Sequence, residues 1–244
     1  MGRHVMSPHK FSRQVTATPP ASLFEGLPEA SRQRIATASK SSTLSVGQRL
    51  WATRTAAKDF TVVVSGYVKL TRLDPQGRET TLNIVSPGHF ISPLESYRGH
   101  PYRCSAAAIG ETQILSINRE VLLDTIRNHP GVALSFMDLV LKGEETLWER
   151  IHELSSLRVA GRVTRLLLRL AETIGRSTAS GAVLVPVRLT RGELAGLCST
   201  TPETVCRQLA RAPLSTLVST HSEGFTLHDL EALRDIADGI MGFD

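Results

Sequence analysis

The chain has 244 residues, of which 41% are hydrophobic, so it can bury one large core or two medium ones. No apolar run is long enough to span a bilayer; the three cysteines, with no CxxC pair, exclude a disulfide framework and a zinc ribbon and fit a reducing cytoplasm. A net charge of +5 and a pI near 9.4 are compatible with a polyanionic partner.

Residues 1–20 are basic and contain His4 and His9, but they lack the apolar region of a secretory signal. We expect a disordered arm here. The two histidines are read either as a metal site or as part of a mobile tail, and the tail is the better interpretation because lone histidines rarely form sites.

A block of short alternating segments comes next. The sequence TVVVSGYVKLTRLD at residues 61–74, the turn DPQGRE and the run TTLNIV predict a β-hairpin. Further short strands are predicted at residues 48–51, 102–108 and 113–117. So many short strands indicate a roll or a barrel.

A long helix is predicted over residues 131–157. Its apolar residues recur at steps of three and four, with Gly143 in the same seam: Phe136, Val140, Leu147, Ile151 and Leu154. This stripe predicts a helix that pairs with a second copy. An amphipathic helix at residues 159–174 and a flexible loop at residues 175–181 follow, so we place a hinge at residues 157–161.

Residues 189–212, LTRGELAGLCSTTPETVCRQLARA, have the pattern of a helix-turn-helix. Thr190 and Glu193 form a capping box that begins the first helix, whose apolar face carries Leu194 and Leu197. Ala195 is small enough to let a second helix cross close by.

The second helix is predicted to begin after Thr201 as its N-cap, with Pro202 at the first position. Val205 and Leu209, four residues apart, face inward. The predicted DNA-contacting residues are Thr190, Thr201, Pro202, Glu203, Thr204, Cys206, Arg207 and Arg211. The alternative is a solvated helix in which Glu203 and Arg207 only form a surface ion pair worth ~0.3–0.5 kcal/mol.

The core ETVCRQL at residues 203–209 resembles the helix-turn-helix of the Crp/Fnr superfamily of bacterial transcription regulators. The resemblance implies that Glu203 and Arg207 contact bases. Chemistry agrees, because a carboxylate accepts from cytosine and a guanidinium donates two bonds to guanine, each worth ~1–3 kcal/mol of discrimination. Pro202 replaces an arginine of the cyclic-AMP-dependent members, which favours the Fnr-like branch and a TTGA-like half-site. Ser199 replaces the usual glycine of the turn, so we expect a strained or reshaped turn.

Residues 23–118 resemble the cyclic-nucleotide-binding β-roll of the same superfamily. The phosphate-binding cassette F-x-G-E, then R-[ST]-A, corresponds to Phe90-Ile91-Ser92-Pro93, then Arg103-Cys104-Ser105-Ala106. Ser92 and Pro93 replace the glycine and the ribose-binding glutamate, so cyclic AMP in its usual pose is disfavoured. Arg103 is left either to pair with a phosphate or carboxylate, or to form a local ion pair at the rim.

The family position that touches the adenine base falls at Leu147, followed by Trp148, and neither side chain replaces a threonine's hydrogen bonds. An apolar pocket there can take haem, cyclic di-GMP or another flat ligand, or Trp148 can close it as core, which is the better interpretation. The candidate effector-pocket residues are Phe90, Ile91, Ser92, Pro93, Arg103, Cys104, Leu147 and Trp148.

Nitric-oxide-sensing members of the superfamily bind haem, which makes His89, His100, His129 and His152 candidate ligands. A surface or capping role is the alternative for each, and nothing in the sequence selects among them. No cysteine precedes Cys104, so the N-terminal cysteines of the iron–sulfur members have no counterpart. Cys206 is either a redox switch beside the phosphates or a small packing residue, and packing is favoured.

These features predict an α+β protein with a β-roll sensor, a long dimerisation helix and a winged helix-turn-helix. The predicted parts are an arm at residues 1–20, the β-roll at 21–129, the dimerisation helix at 130–157 and the winged helix-turn-helix at 158–244. Within the last part, residues 217–227 resemble the winged-helix hairpin of the family, and a final helix is expected at residues 228–237. The segment Ala212-Pro213-Leu214-Ser215 departs from the family's usual approach to the wing.

The expected function is transcription regulation by a homodimer on double-stranded DNA, with RNA polymerase as a further partner. No catalytic residue, metal ion or membrane contact is expected. Two alternatives come from other classes. One is a cupin-type metalloenzyme, which needs clustered His and Glu ligands. The other is a nucleotide-sensing module that does not touch DNA.

Overall fold

The structure is a computed structural model that describes residues 27–77 and 79–239. The predicted arm at residues 1–20, with His4 and His9, lies outside the described residues.

The N-terminal half of the described chain consists mainly of short strands. Its elements are α1 (Glu29–Thr37), β1 (Ser39–Leu44), β2 (Arg49–Trp51), β3 (Asp59–Ser65), β4 (Val68–Leu73), β5 (Glu79–Val85), β6 (Phe90–Ile91), α2 (Pro93–Arg98), β7 (Ser105–Ala108), β8 (Thr112–Asn118) and α3 (Arg119–Asn128). The predicted strands are present, whereas α1, α2, α3, β1 and β6 were not predicted.

The strands form two four-stranded antiparallel sheets, in the orders β1-β8-β3-β6 and β2-β7-β4-β5. The predicted hairpin is the β4–β5 pair, in which Leu73 lies opposite Glu79. Gly66, at φ +75°, is where the chain leaves the first sheet and enters the second. A side chain there would collide with the Glu111 carbonyl, so this crossing requires glycine.

Three aromatic rings form the centre of one core of the roll. Phe60 meets Phe136 edge to face, with ring centroids 5.5 Å apart, and Phe90 is 5.7 Å from Phe136. The assignment of Phe136 to the dimerisation stripe is therefore wrong. Its ring is buried against the sheet of its own chain, because the first turns of the long helix pack on the roll.

The long helix α4 (Pro130–Ser156) is followed by α5 (Val159–Ile174). Leu157 and Arg158 between them are extended, with ψ of 144° and 162°, so the helix breaks where the hinge was predicted. The bounds of α5 equal the predicted ones.

The remaining elements are β9 (Arg176–Ser177), β10 (Val183–Val185), α6 (Arg191–Leu197), α7 (Pro202–Ala210), α8 (Leu214–Leu217), β11 (Val218–His221), β12 (Gly224–Leu227) and α9 (Leu230–Ala237). The strands form one antiparallel sheet in the order β11-β12-β10-β9. The predicted wing hairpin and final helix are confirmed. The predicted loop at residues 175–181 contains the short strand β9, which pairs with β10.

Candidate nucleic-acid interface and effector pocket

The first helix of the helix-turn-helix, α6, begins with the predicted capping box. The Glu193 backbone N–H donates to Thr190 Oγ1 at 3.1 Å, and the Thr190 N–H donates to Glu193 Oε2 at 2.8 Å. Leu194, Ala195 and Leu197 are buried, as predicted.

The second helix, α7, is capped by Thr201, whose Oγ1 accepts from the Thr204 N–H at 3.3 Å, with Pro202 at the first position. Val205 is fully buried and Leu209 packs against the same core. This capping and burial confirm the predicted orientation of the helix.

The outer face of α7 carries the two side chains that the resemblance assigned to bases. Glu203 and Arg207 are exposed, and so is Cys206 between them, so the packing role for Cys206 is wrong. Arg207 Nη2 donates to Thr204 Oγ1 at 3.3 Å, and no ion pair joins it to Glu203 among the described residues. Both side chains are therefore available to an outside partner.

The charge of Glu203 is favoured by its place at the start of α7. Hydrogen bonds from its own backbone N–H and from the Thr201 hydroxyl hold the pKa of Glu203 below its usual value. The carboxylate is therefore a hydrogen-bond acceptor at neutral pH. Thr190 and Arg211 are exposed at the start of α6 and at the end of α7, respectively.

The turn between the two helices has the backbone of a glycine-type cap. Ser199 has φ +47°, and the N–H groups of Ser199 and Thr200 donate to the Gly196 and Ala195 carbonyls. This is the double bond of a Schellman motif, whose left-handed residue is usually glycine. The predicted strain at Ser199 is confirmed by this positive φ.

Arg162 of α5 holds the same turn, a role that the sequence analysis did not predict. Its Nε donates to the Cys198 carbonyl at 2.9 Å, and its Nη1 donates to the Leu157 carbonyl at 3.1 Å. One guanidinium thus joins the hinge to the turn before the recognition helix. Only the fold could reveal this contact, because Leu157 and Cys198 are far apart in sequence.

The region of the phosphate-binding cassette has Phe90 and Ile91 on β6, followed by α2. Ser92 is the N-cap of α2 at φ +50° and Pro93 is its first residue. Ile91 is fully buried and Phe90 is half-buried. Pro93 offers no acceptor at the place of the ribose-binding glutamate.

Arg103 and Cys104 lie on opposite faces of the chain as it enters β7. The Arg103 side chain is 69% exposed, and its Nε is 3.5 Å from Glu95 Oε1. Cys104 is buried, and its Sγ is 3.8 Å from Ser92 Oγ. The structure therefore brings the thiol into the roll and leaves the guanidinium at the rim, in the local ion pair that was the alternative for Arg103.

An aromatic pair fills the space beside Cys104. Trp51 stacks on Tyr102 with ring centroids 3.8 Å apart, and Trp51 Nε1 donates to the Cys104 carbonyl at 3.2 Å. Burial raises the pKa of the Cys104 thiol, although the Ser92 hydroxyl opposes the shift.

The expected closure of the pocket by Trp148 is wrong within one chain, because Trp148 is 64% exposed on α4 and Leu147 is exposed beside it.

The four candidate haem ligands occupy separate places. His129 is 2.9 Å from Ser31 Oγ and His152 is 3.4 Å from Ser156 Oγ, while His89 contacts the Pro87 carbonyl. His100 follows α2 and its backbone N–H donates to the Glu95 carbonyl. Within residues 27–77 and 79–239, no group of three or more His, Cys, Asp or Glu side chains could hold a metal ion.

Two family models match separate parts of the chain: the cyclic nucleotide-binding domain over residues 42–129 and the Crp-like helix-turn-helix domain over residues 161–236. The nitrogen fixation regulation protein FixK of Azorhizobium caulinodans is 30% identical over 179 residues, which cover 73% of this chain and 71% of that protein. The chain belongs to the Crp/Fnr family of DNA-binding transcription regulators.

This Crp/Fnr regulator has a further relative in the CRP-like cAMP-activated global transcriptional regulator of Mycobacterium tuberculosis, 31% identical over 149 residues. That match covers 61% of this chain and 66% of the relative, just under two thirds of its length. The solved structure of FixK2 from Bradyrhizobium japonicum has a TM-score of 0.70 at 19% identity, over 81% of this chain and 96% of that one. The predicted α+β architecture is confirmed. No helix of the described residues has the length and apolar character needed to cross a membrane.

Proposed function

We propose that this Crp/Fnr regulator binds an inverted repeat of TTGA-like half-sites as a homodimer and reads the bases with Glu203 and Arg207. The observation that carries the proposal is the exposure of both side chains, one turn apart on α7, while Val205 anchors the opposite face in the core. A carboxylate accepts from the cytosine amino group and a guanidinium donates to guanine O6 and N7. Together the two side chains can read a half-site whose central bases include a G·C pair.

The other predicted contacts surround this pair. Thr204, Cys206 and Arg211 lie along α7 or at its end, within reach of the groove walls. Thr190, Thr201 and Pro202 stand where α6 and α7 begin, and helix N-termini favour phosphate oxygens. We assign these residues to positioning on the backbone rather than to base reading.

The proposed dimer forms through α4. Among the α4 side chains that the structure describes, eight large apolar ones are exposed in the single chain: Leu134, Met137, Val140, Leu141, Leu147, Trp148, Ile151 and Leu154. Val140, Leu147, Ile151 and Leu154 belong to the predicted stripe. A stripe of this kind is typical of a helix that buries it against a copy of itself. Two-fold pairing places the two recognition helices about 10 bp apart on the duplex.

The dimer is tested by sedimentation velocity of the Leu147→Arg/Ile151→Arg variant. We expect a 26.6 kDa monomer for the variant and twice that mass for the wild type. Leu73→Arg, which places one positive charge on an exposed leucine of β4, is the control and stays dimeric. A variant that remains dimeric contradicts the role of α4.

The proposed organisation keeps the predicted bounds: an arm at residues 1–20, a sensor at 21–129, the dimerisation helix at 130–157 and the DNA-binding domain at 158–244. A signal at the sensor would act through the break between α4 and α5.

RNA polymerase is proposed as the partner on the promoter. In-vitro transcription from a promoter carrying the selected site, with and without the protein, tests that partner.

We propose that DNA binding does not require cyclic AMP. Pro93 has no acceptor for the ribose, Cys104 takes the inward position beside Ser92, and the Arg103 guanidinium is at the rim. Isothermal titration with cyclic AMP should therefore give no binding in the millimolar range or tighter. Haem and cyclic di-GMP are the ligands to test in its place.

The deciding experiment is selection of duplexes from a random pool by the purified protein without ligand. We expect enrichment of a TTGA-like inverted repeat, lost in Arg207→Ala and in Glu203→Ala and retained in Arg127→Ala, which removes the same charge from the exposed face of α3. Enrichment of the repeat by both α7 variants contradicts the proposal that Glu203 and Arg207 contact the bases. Regulation that survives the two substitutions in cells supports a nucleotide-sensing module without DNA contact.

A further inference from the structure

The first helix of the helix-turn-helix is held at both ends by side chains from outside the DNA-binding part of the chain. At its start, Lys69 of β4 donates from Nζ to Glu193 Oε1 at 2.7 Å. At its end, Arg150 of α4 donates from Nη2 to the Leu197 carbonyl at 2.8 Å. The sensor hairpin and the long helix therefore meet on the seven residues of α6.

The last turn of α6 lies directly on the hairpin. A Cβ on Gly196 would be 2.8 Å from the Thr81 backbone nitrogen, so the helix approaches β5 as closely as a residue without a side chain allows. Tyr67, Ile84 and Ile109 of the sensor pack against the core of the DNA-binding domain around this contact. The distance between α6 and the hairpin is thereby fixed.

The Lys69–Glu193 contact fixes the position of the two side chains in addition to pairing their charges. Its partner Glu193 is already held by Thr190 in the capping box, so the carboxylate cannot follow a moving ammonium. The Lys69 and Glu193 side chains are only 21% and 15% exposed, so solvent screens the pair weakly. Burial alone would raise the pKa of Glu193, but the hydrogen bonds from Lys69 and Thr190 outweigh it and lower the pKa.

The contact of Arg150 uses the general chemistry of a helix end. The last carbonyls of a helix have no partner within it and carry partial negative charge, which a guanidinium satisfies. Arg162 takes the next carbonyl, that of Cys198, so two arginines hold consecutive carbonyls at the end of α6. The end of α6 cannot shift on α4 without breaking the Arg150 contact, and the turn cannot shift on α5 without breaking the Arg162 contact.

We propose that Lys69 and Arg150 are positioning residues for DNA reading: they fix α6, and through the turn the recognition helix α7, at one angle to the long helix. The inference rests on the proposed dimer and its inverted repeat. When two long helices pair, that angle sets the separation of the two recognition helices. It therefore sets which spacing between half-sites is bound. Neither residue lies on α6 or α7, the helices proposed to contact DNA.

The test measures spacing preference in the full-length protein. Duplexes carry the selected half-sites at the best spacing and at spacings one and two base pairs longer or shorter, and one further duplex carries a single half-site. Binding is followed by fluorescence anisotropy for the wild type and for Lys69→Met and Arg150→Met. Arg127→Met is the control for the loss of one positive charge, and Lys69→Arg and Arg150→Lys are the conservative variants.

We expect the wild type to discriminate between neighbouring spacings by on the order of tenfold and the two Met variants by about twofold. Affinity for the single half-site should be unchanged, and the conservative variants should recover part of the discrimination. A merely structural role would lower the melting temperature and all affinities together, without changing the spacing preference.

Retained discrimination in both folded Met variants overturns the proposal. The Lys69 side chain is only partly buried and belongs to no hydrophobic core of the described residues, so Lys69→Met decides the question if Arg150→Met does not fold. A wild type that binds the repeat at every spacing equally also overturns it. A wild type that binds no inverted repeat contradicts the proposed function itself, and the inference falls with it.

Discussion

Ser199 shows how a single residue carries backbone strain at a functional turn. A left-handed conformation costs a residue with a Cβ about 1–2 kcal/mol, and glycine avoids that cost while gaining freedom in the unfolded chain. The φ of +47° is imposed by the two hydrogen bonds that end α6. The strain therefore belongs to the motif and not to a packing defect.

We predict that Ser199→Gly raises the free energy of unfolding by up to about 1 kcal/mol. Urea unfolding followed by circular dichroism measures the change. Ser199→Ala keeps the Cβ and should give no gain. A loss of stability in the glycine variant would contradict the account of the turn.

The three cysteines have different environments. Cys206 is exposed on α7, whereas burial raises the pKa of Cys198 to about 12 and also raises that of Cys104. Only the thiolate reacts with alkylating agents. Burial therefore protects a thiol in two ways: it blocks access of the reagent, and it raises the pKa so that the thiol stays protonated.

We predict that iodoacetamide at pH 8 modifies one thiol of the folded protein, that of Cys206, and three after denaturation. Mass spectrometry of the intact chain counts the additions. Cys206→Ser should remove the only fast addition. Rapid modification of Cys104 in the folded state would mean that the roll opens at its cassette.

At the scale of elements, two glycines of α6 provide a matched pair. A Cβ on Gly196 would lie 2.8 Å from Thr81 N, while a Cβ on Gly192 would meet only Thr190 Oγ1 at 3.9 Å. Both are helical, so both gain intrinsic helix propensity on becoming alanine. Only the alanine at Gly196 would have to displace the sensor hairpin.

We predict that Gly196→Ala lowers the free energy of unfolding by about 1–2 kcal/mol, since overpacking exceeds the gain in propensity. Gly192→Ala should raise it by up to about 1 kcal/mol. Urea titration of both variants decides between them. Equal effects would show that α6 does not rest on β5 in solution.

The cassette shows the limit of motif matching within an element. Successive residues of a strand point to opposite faces, so a shift of one residue exchanges inside and outside. The motif R-C-S-A has one residue more than R-[ST]-A, and the structure gives the inward position to Cys104. Tyr102, Cys104 and Ala106 alternate with the charged Arg103, and the first three are buried while Arg103 is exposed. This alternation in the sequence could have indicated that Cys104, and not Arg103, points inward.

At the scale of the whole molecule, the Lys69–Glu193 pair links sensor and DNA-binding domain and makes their contact depend on pH. The pKa of Glu193 is lowered, so its contribution is complete above the unfolded value of about 4.3 and is lost as pH falls through the folded pKa. The pKa of Lys69 is raised by Glu193 and Glu79 despite burial, so its contribution is complete below about 10.4 and is lost as pH rises through the folded pKa. The contact is complete between roughly pH 5 and pH 10.

We predict that Glu193→Gln destabilises the protein at pH 7 by about 1–3 kcal/mol and that this difference shrinks as pH falls below about 4. Urea unfolding of both proteins across this range measures the difference. The exposed Glu223→Gln is the control for the loss of one carboxylate and should leave the free energy of unfolding at pH 7 unchanged. A difference that stays constant with pH would mean that the carboxylate charge is not what matters.

The sequence by itself determined the features whose signals are local. The capping box of α6, Pro202 at the start of α7, the inward Val205 and the bounds of α5 depend on residues a few positions apart, and all were found. The β4–β5 hairpin was found for the same reason, because alternation and turn residues are short-range signals. The wing was found through its resemblance to the hairpin of the family.

Only the tertiary structure decided which surfaces meet. Phe136 has the spacing of the exposed stripe yet is buried by the roll, because helical periodicity does not say which partner covers a face. Lys69, Arg150 and Arg162 contact α6 or its turn from positions 36 to 124 residues away in sequence, and no local pattern marks them. Their roles exist only because folding brings the sensor hairpin and the long helix onto one short helix, and that approach depends on packing summed over the whole chain.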